Sequence, residues 1–423
     1  MRRRLKFLFS DSLDFVDPEY DFRGDRHGAG RRAHEDDEFP HEHLGVAPYD
    51  GILISRAIVG DARRGGKYSE AQCLRFSREG ARQFLRYPAS RYPGSIVMGD
   101  CGAFSYHRAA VPPYQPQETL EFYLDSGFTH GCSVDHVIFD FEDDRTKPSP
   151  EARQRYEITL ENARVFLRAA KRTAPKFVPV GVVQGWSAKS MGAAARELVR
   201  MGYRYIALGG MVPLKTPQIA RALAAIREQV PSETELHLLG FGKTEDLGVL
   251  RAHRVSSFDT TSPLRRAFKD AKKNYYALGP DSELRYYTAI RIPQAIDNDK
   301  LLRRAKRGKL NQERLLAMEA EALHAVRSFG ERRCAAADAA ASVIAYGRYA
   351  LWDDAVTEER NERRLGEFAK AYERTLSDRA WESCSCRVCR EAGVETLIFR
   401  SSNRNKRRGI HNLHVFYASL HAR

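Results

Sequence analysis

Residues 177–210 read FVPVGVVQGWSAKSMGAAARELVRMGYRYIALGG. A β-branched apolar run (177–183) leads into a helical pattern (188–201), and a second apolar run (205–208) ends on two glycines. Strand, helix and strand in so short a space make a parallel pair with a crossover helix. The same rhythm extends outward: strand-like runs at 52–58, 96–98, 137–141, 236–239 and 255–258 alternate with helical patterns at 69–85, 119–126, 150–173, 217–229 and 244–252. Asp100, Asp140, Gln184, Gly209 with Gly210, Gly240 with Gly242, and Asp259 each fall at or just beyond the end of an apolar run. One rim therefore collects them, which is how (β/α)8 barrels build their sites. Gly65, Gly66 and Lys67 lack the spacing of a phosphate-binding loop, and no Gly-rich dinucleotide turn follows the first strand, so an open nucleotide-binding sheet has little support.

The chain has 423 residues, long enough for one large barrel and an appendage. Residues 1–50 read as an N-terminal extension and mobile loop. The part from 23 to 43 has no apolar periodicity, and its His27, His34, His41 and His43 read as solvated rather than metal-bound. The barrel core spans 51–265. Residues 266–380 read as a helical insertion with helices at about 299–327, 335–351 and 358–376, and 381–423 as a small C-terminal subdomain.

Lysine and arginine number 69 against 55 acids, giving a net charge of +14 and favouring a polyanionic partner, nucleic acid first. The basic residues Arg303, Arg304, Lys306, Arg307 and Lys309, and the run Arg400, Arg404, Lys406, Arg407 and Arg408, are the candidate phosphate contacts. A solvated helix with intrahelical ion pairs is the alternative for the first group. No apolar run approaches the ~18–20 residues of a membrane span and no signal-like stretch opens the chain, so the expected location is cytoplasmic, in a bacterial cell or phage-infected host.

Of seven cysteines, Cys384, Cys386 and Cys389 crowd together, and with His411 they offer three thiolates and an imidazole, enough for a closed tetrahedral structural zinc site. His414 and His421 are alternative fourth ligands. The expected architecture is thus α/β: a (β/α)8 TIM barrel with a helical insertion and a small C-terminal zinc-binding subdomain.

Five short motifs, in order, resemble those of the tRNA-guanine transglycosylase superfamily. Met98-Gly99-Asp100-Cys101-Gly102-Ala103-Phe104 resembles its Asp-Ser-Gly-Gly-aromatic motif, Val182-Val183-Gln184-Gly185 its Val-Gln-Gly, and Leu208-Gly209-Gly210 its Gly-Gly loop. Phe258-Asp259 with Pro263 and Arg265 resembles its Phe-Asp-x3-Pro-x-Arg, and His411-Asn412-Leu413 matches the segment carrying its fourth zinc ligand. The opening, with Phe9, Asp11, Ser12, Asp17 and Pro18, looks more like the DNA-modifying branch, which inserts 7-deazaguanine bases into DNA.

The resemblance implies a pentosyltransferase that exchanges guanine in DNA for a 7-deazaguanine, 7-cyano-7-deazaguanine in the first instance, with structural Zn2+. Replacing a base at one anomeric carbon with retained configuration takes two displacements, hence a carboxylate nucleophile and a second acid/base group. By resemblance Asp259 is the nucleophile and Asp100 the acid/base. A 7-deazaguanine presents O6 as acceptor and N1–H with N2–H2 as donors. Asp140 is expected to take the donors, with Asp135 as the competing carboxylate, Gln184, Gly209 and Gly210 lie near O6, and Phe104 stacks on the base or else plugs the barrel end. The partners implied are DNA, the 7-deazaguanine base and an accessory DNA-opening protein. The alternatives are a tRNA-guanine transglycosylase and a non-catalytic nucleic-acid-binding paralogue. Cys101, Ala103, Ser105 and Glu142 depart from the family pattern around the base pocket, and the long segment between Asp259 and Cys384 departs from its architecture.

Overall fold

The structure, a computed structural model, describes residues 4–61, 64–143, 145–296, 298–306, 308 and 310–422. Eight parallel strands close a barrel: β1 (Lys6–Ser10), β2 (Gly51–Ser55), β3 (Ile96–Asp100), β4 (His130–Cys132), β5 (Val178–Val183), β6 (Tyr205–Leu208), β7 (Glu235–Leu238) and β8 (Ser257–Thr260). Each pairs with its sequence neighbour, and β1 closes the ring by pairing with both β2 and β8, Leu8 lying opposite Gly51 and Asp259. Leu8, Leu53, Ile96, Met98, Cys132, Val180, Val182, Tyr205 and Ala207 fill one buried cluster. Burying each large aliphatic side chain of this kind contributes roughly 1.5–3 kcal/mol. Crossover helices begin at recognisable caps. Ser149 accepts from Ala152 N ahead of Pro150, and Ser187 from Ser190 N, and the helix Ala188–Met201 stops at Gly202 in the left-handed region.

The chain divides into two compact units, residues 1–13 with 49–262, and 14–48 with 263–423. The barrel therefore begins at Lys6 rather than Gly51, and the run KFLFS is its first strand. A five-residue run with only three apolar residues, far in sequence from its partners, carries no local sign of that role. Residues 14–48 are not a mobile loop: Val16 and Glu38 bridge, Asp21 and Arg26 bridge, and Pro40–Leu44 is a short helix. His27 Nδ1 lies 2.8 Å from Asp17 and His43 Nδ1 2.8 Å from Glu38, so these histidines have carboxylate partners.

The run 137–141 is not a strand; the fourth strand lies earlier, at His130–Cys132, where backbone pairing with β3 and β5 is available. Val137 and Ile138 are buried against the rim instead, and the Ile138 amide donates to the Gln184 side chain.

In the second unit the helical segment and the cysteine cluster share one hydrophobic core. The expected helix at 299–327 is two, Asp299–Lys306 and Gln312–Gly330. Gly308 at φ +70° breaks the first, and Asn311 caps the second by accepting from Arg314 N at 2.9 Å. Helices Ala336–Ala350 and Glu358–Ser377 follow, and His411 lies within a further helix, Ser402–His421.

The basic run from Arg400 to Arg408 does not face solvent. Arg404 is 1% exposed and reaches Asp25, Glu395 and the Phe22 carbonyl; Arg400 holds Asp25 and Glu319; Arg407 and Arg408 donate to backbone carbonyls. These are internal struts, each guanidinium taking carboxylate or carbonyl partners within the fold. In the helix Asp299–Lys306, Arg303 and Lys306 are exposed, and Arg304 donates to the Tyr349 carbonyl. Arg307 and Lys309 lie outside the described residues. Among the described residues no helix is long and apolar enough to cross a membrane.

Candidate active site

Asp259 sits on β8 with its carboxylate fixed by three donors. Ser10 Oγ donates to Oδ2 at 2.6 Å, the Gly240 amide to Oδ1 at 2.9 Å, and His237 Nε2 lies 3.2 Å from Oδ1. The residue is only 5% exposed. Asp100 ends β3, with two strands between it and β8 around the ring; its Oδ2 accepts from the Gly102 amide at 3.0 Å, and the Ser55 side chain also hydrogen-bonds it. The serines that end the intervening strands β1 and β2 thus hold one aspartate each.

Burial, then the neighbouring carboxylates Asp135 and Asp259, push the Asp100 pKa up to about 7. A desolvated carboxyl among like charges holds its proton, and near neutrality such a group can both give and take one.

Asp135, three residues past β4, is buried. Gln184 Nε2 donates to its Oδ2 at 2.6 Å and Cys101 Sγ to its Oδ1 at 3.1 Å, while Tyr106 OH donates to its backbone carbonyl at 3.0 Å. Burial raises its pKa also. The other end of Gln184 accepts from Ile138 N at 3.1 Å. Gln184 in turn lies under the Gly209–Gly210 turn. A Cβ on Gly209 would come within 2.2 Å of Gln184 Nε2, and Gly210 takes φ +73° with the Ile138 carbonyl 2.9 Å from where its Cβ would stand.

The structure therefore brings together Asp100, Asp259, Gln184, Gly209 and Gly210, and adds Asp135. Asp140 stands apart from that buried cluster: it is half-exposed and ion-paired with Arg145, which also holds Glu142. Phe104, on the turn Ala103–Tyr106, is 63% exposed and meets Phe139 edge to face at 5.6 Å, so it does not plug the barrel end. Sequence reasoning missed Ser10, Ser55 and His237 as residues supporting the site, and read Cys101 only as a departure from the family pattern near the base pocket. For His237 a signal existed, since it precedes Gly240 on an apolar run where every other residue points inward.

In the second unit, Cys384, Cys386, Cys389 and His411 converge. His411 Nδ1 lies 3.6, 3.4 and 3.3 Å from the three sulfurs. Tetrahedral ligands about 2.0–2.3 Å from one ion are roughly 3.5 Å apart, so this donor set can hold a metal. His411 Nε2 is 2.8 Å from the Tyr276 carbonyl, which fixes the ring and leaves Nδ1 for the metal, and the Tyr275 ring stacks on it at 4.4 Å.

The sequence pattern of the family described as Queuine tRNA-ribosyltransferase matches residues 136–274. A DNA-guanine transglycosylase of Salmonella montevideo is 40% identical over 427 residues, covering 99% of this chain and 97% of that protein. Queuine tRNA-ribosyltransferases of Histophilus somni (strain 129Pt) and Haemophilus influenzae (strain PittEE) are 29% identical over 163 residues, 36% of this chain and 40% and 39% of theirs.

Proposed function

The chain belongs to the guanine transglycosylase family, in its DNA-modifying branch, and we propose that it exchanges guanine in DNA for a 7-deazaguanine base by retaining double displacement. The observation that carries the mechanism is the pair of rim aspartates with unlike surroundings, Asp259 held by three donors and Asp100 poised at a pKa of about 7.

In the first step an Asp259 oxygen bonds to C1′ as the C1′–N9 bond breaks, and Asp100 gives its proton to the departing guanine. In the second, Asp100 takes the N9 proton of the incoming base while N9 bonds to C1′ and the ester to Asp259 breaks, restoring both carboxyls and the original configuration. Asp140, on release from Arg145, receives N1–H and N2–H2. Gln184 and the Gly209–Gly210 backbone meet O6, with Asp135 holding Gln184 in place, and Phe104 stacks on the ring. The 7-cyano base is the proposed donor substrate. The Cys384, Cys386, Cys389 and His411 set holds a structural zinc ion; four protein ligands leave no open position, and the ion's role is to tie the chain segments of the second unit together.

A guanine paired in duplex must be flipped out at a cost of roughly a few kcal/mol, so single-stranded or locally melted DNA is the better substrate in the absence of an opening partner. Exposed Arg303 and Lys306 are offered as phosphate contacts. The test is exchange of labelled base into single-stranded DNA, duplex DNA and tRNA. Exchange into DNA that is lost in Asp259→Ala supports the reading. Exchange into tRNA alone would move the protein to the tRNA branch, and wild-type exchange in Asp259→Ala would remove the nucleophile.

A further inference from the structure

Behind Asp259 runs a buried line of polar side chains that the two-step mechanism does not use. Tyr205 OH lies 2.5 Å from Ser257 Oγ, Ser257 Oγ lies 2.5 Å from His237 Nδ1, and His237 Nε2 lies 3.2 Å from Asp259 Oδ1. All four residues are buried, and they come from β6, β7 and β8, with His237 and Ser257 in register across the last two. We propose that His237 is a positioning residue for Asp259, and that the line Tyr205–Ser257–His237 fixes which ring nitrogen carries the proton.

The polarity follows from what each atom can do. A carboxylate oxygen only accepts, so Nε2 carries hydrogen. With the imidazole neutral, Nδ1 then accepts, Ser257 donates to it, and Ser257 in turn accepts from Tyr205. Every donor has one acceptor, and the line points one way, toward the carboxylate. Oδ1 thereby receives two N–H groups, His237 and Gly240, and Oδ2 receives Ser10.

The consequence for the reaction, which rests on Asp259 being the nucleophile, concerns release of the covalent intermediate. The His237 N–H bonds an ester carbonyl in the intermediate and a charged carboxylate in the free enzyme, and the charged bond is about twice as strong. His237 therefore favours the return of Asp259 to its free carboxylate, which is the second displacement. Removing the donor shifts the balance toward the ester and slows turnover, while leaving base binding alone.

The experiment compares His237→Phe, His237→Gln, Ser257→Ala and Asp259→Ala in the full chain, reading kcat, KM for the base, and the fraction of enzyme trapped as covalent adduct with DNA on denaturing gels. In His237→Phe kcat is expected to fall roughly ten- to a hundredfold, the loss of one hydrogen bond to a charged group. KM stays unchanged and the trapped fraction rises. Gln places an amide N–H near the position of Nε2, so His237→Gln recovers most of the loss. Ser257→Ala, which leaves the imidazole without its orienting partner, falls between. A merely structural histidine predicts instead that kcat and trapped fraction fall together and that Gln is no better than Phe; either result overturns the proposal, as does wild-type turnover in His237→Phe. If His237→Phe does not fold, Ser257→Ala decides alone: a lower kcat with more adduct supports the line, and wild-type values sink it. Wild-type exchange in Asp259→Ala removes the nucleophile reading itself, whereas an inactive Asp259→Ala beside an unaffected His237→Phe removes only the line.

Discussion

Gly209→Ala adds one methyl group where the structure has no room for it. Gly209 does not have a positive φ, so alanine suits its backbone and the whole cost is steric. The new Cβ would stand 2.2 Å from Gln184 Nε2 and 3.1 Å from its Cδ, and only 3.5 Å from Asp135 Oδ2. Gln184 must move, giving up its 2.6 Å bond to Asp135 and the 3.1 Å bond it accepts from Ile138 N, both buried. A buried group left unpaired costs about 1–3 kcal/mol, so the two together cost about 2–6 kcal/mol. At roughly 2–4 °C per kcal/mol for a unit of this size, Tm is expected to fall by about 4–24 °C. KM for the base is expected to rise, because Gln184 no longer stands where O6 would meet it. The decisive measurement is a double-mutant cycle by thermal melting. In a Gln184→Ala background the obstacle is gone, so Gly209→Ala should then cost far less than it does in the wild type. Equal costs in the two backgrounds, or a single variant that melts and binds base like wild type, would refute the steric account of this turn.

Exchange should decline as pH rises through about 7, because Asp100 must be protonated to release guanine; a pH–rate profile of kcat/KM with no limb there refutes its role. The same raised pKa means that the folded chain keeps a proton the unfolded chain has lost between pH 3.8 and about 7, so this group's contribution to stability falls as pH rises across that window, as denaturant melts at pH 5 and 7.5 of wild type against Asp100→Asn will report. Cys384→Ser should lower zinc content and Tm together, and a zinc-free wild-type protein by elemental analysis ends that assignment. Arg404→Met takes one of two arginine partners from Asp25, which keeps Arg400, and from Glu395, which keeps Arg327, and should destabilise the second unit by about 1–3 kcal/mol; an unchanged melt with weakened DNA binding would instead return Arg404 to the phosphate surface.

The alternation of apolar runs and helical patterns was enough to specify a barrel, because strand–helix–strand order leaves parallel pairing as the way to bury both faces of the sheet. The spacing of Cys384, Cys386 and Cys389 likewise announced a metal site locally. Asp100 and Asp259 were legible as residues at strand ends, since the end of an apolar run is a local property. What no local pattern carries is pairing across long separations. Lys6–Ser10 became a barrel strand only through β2, about 45 residues on, and β8, about 250 residues on, and residues 14–48 became part of the second unit only through partners such as Arg404 and Arg407. Burial is of the same kind: Arg400 to Arg408 reads as a charged surface in sequence and turns inward because Asp25, Glu319 and Glu395 arrive from elsewhere. Asp135 and Asp140 show the limit most sharply. Both follow one strand, and which of them meets Gln184 depends on where β4 stops, which its pairing with β3 and β5 determines and its composition does not.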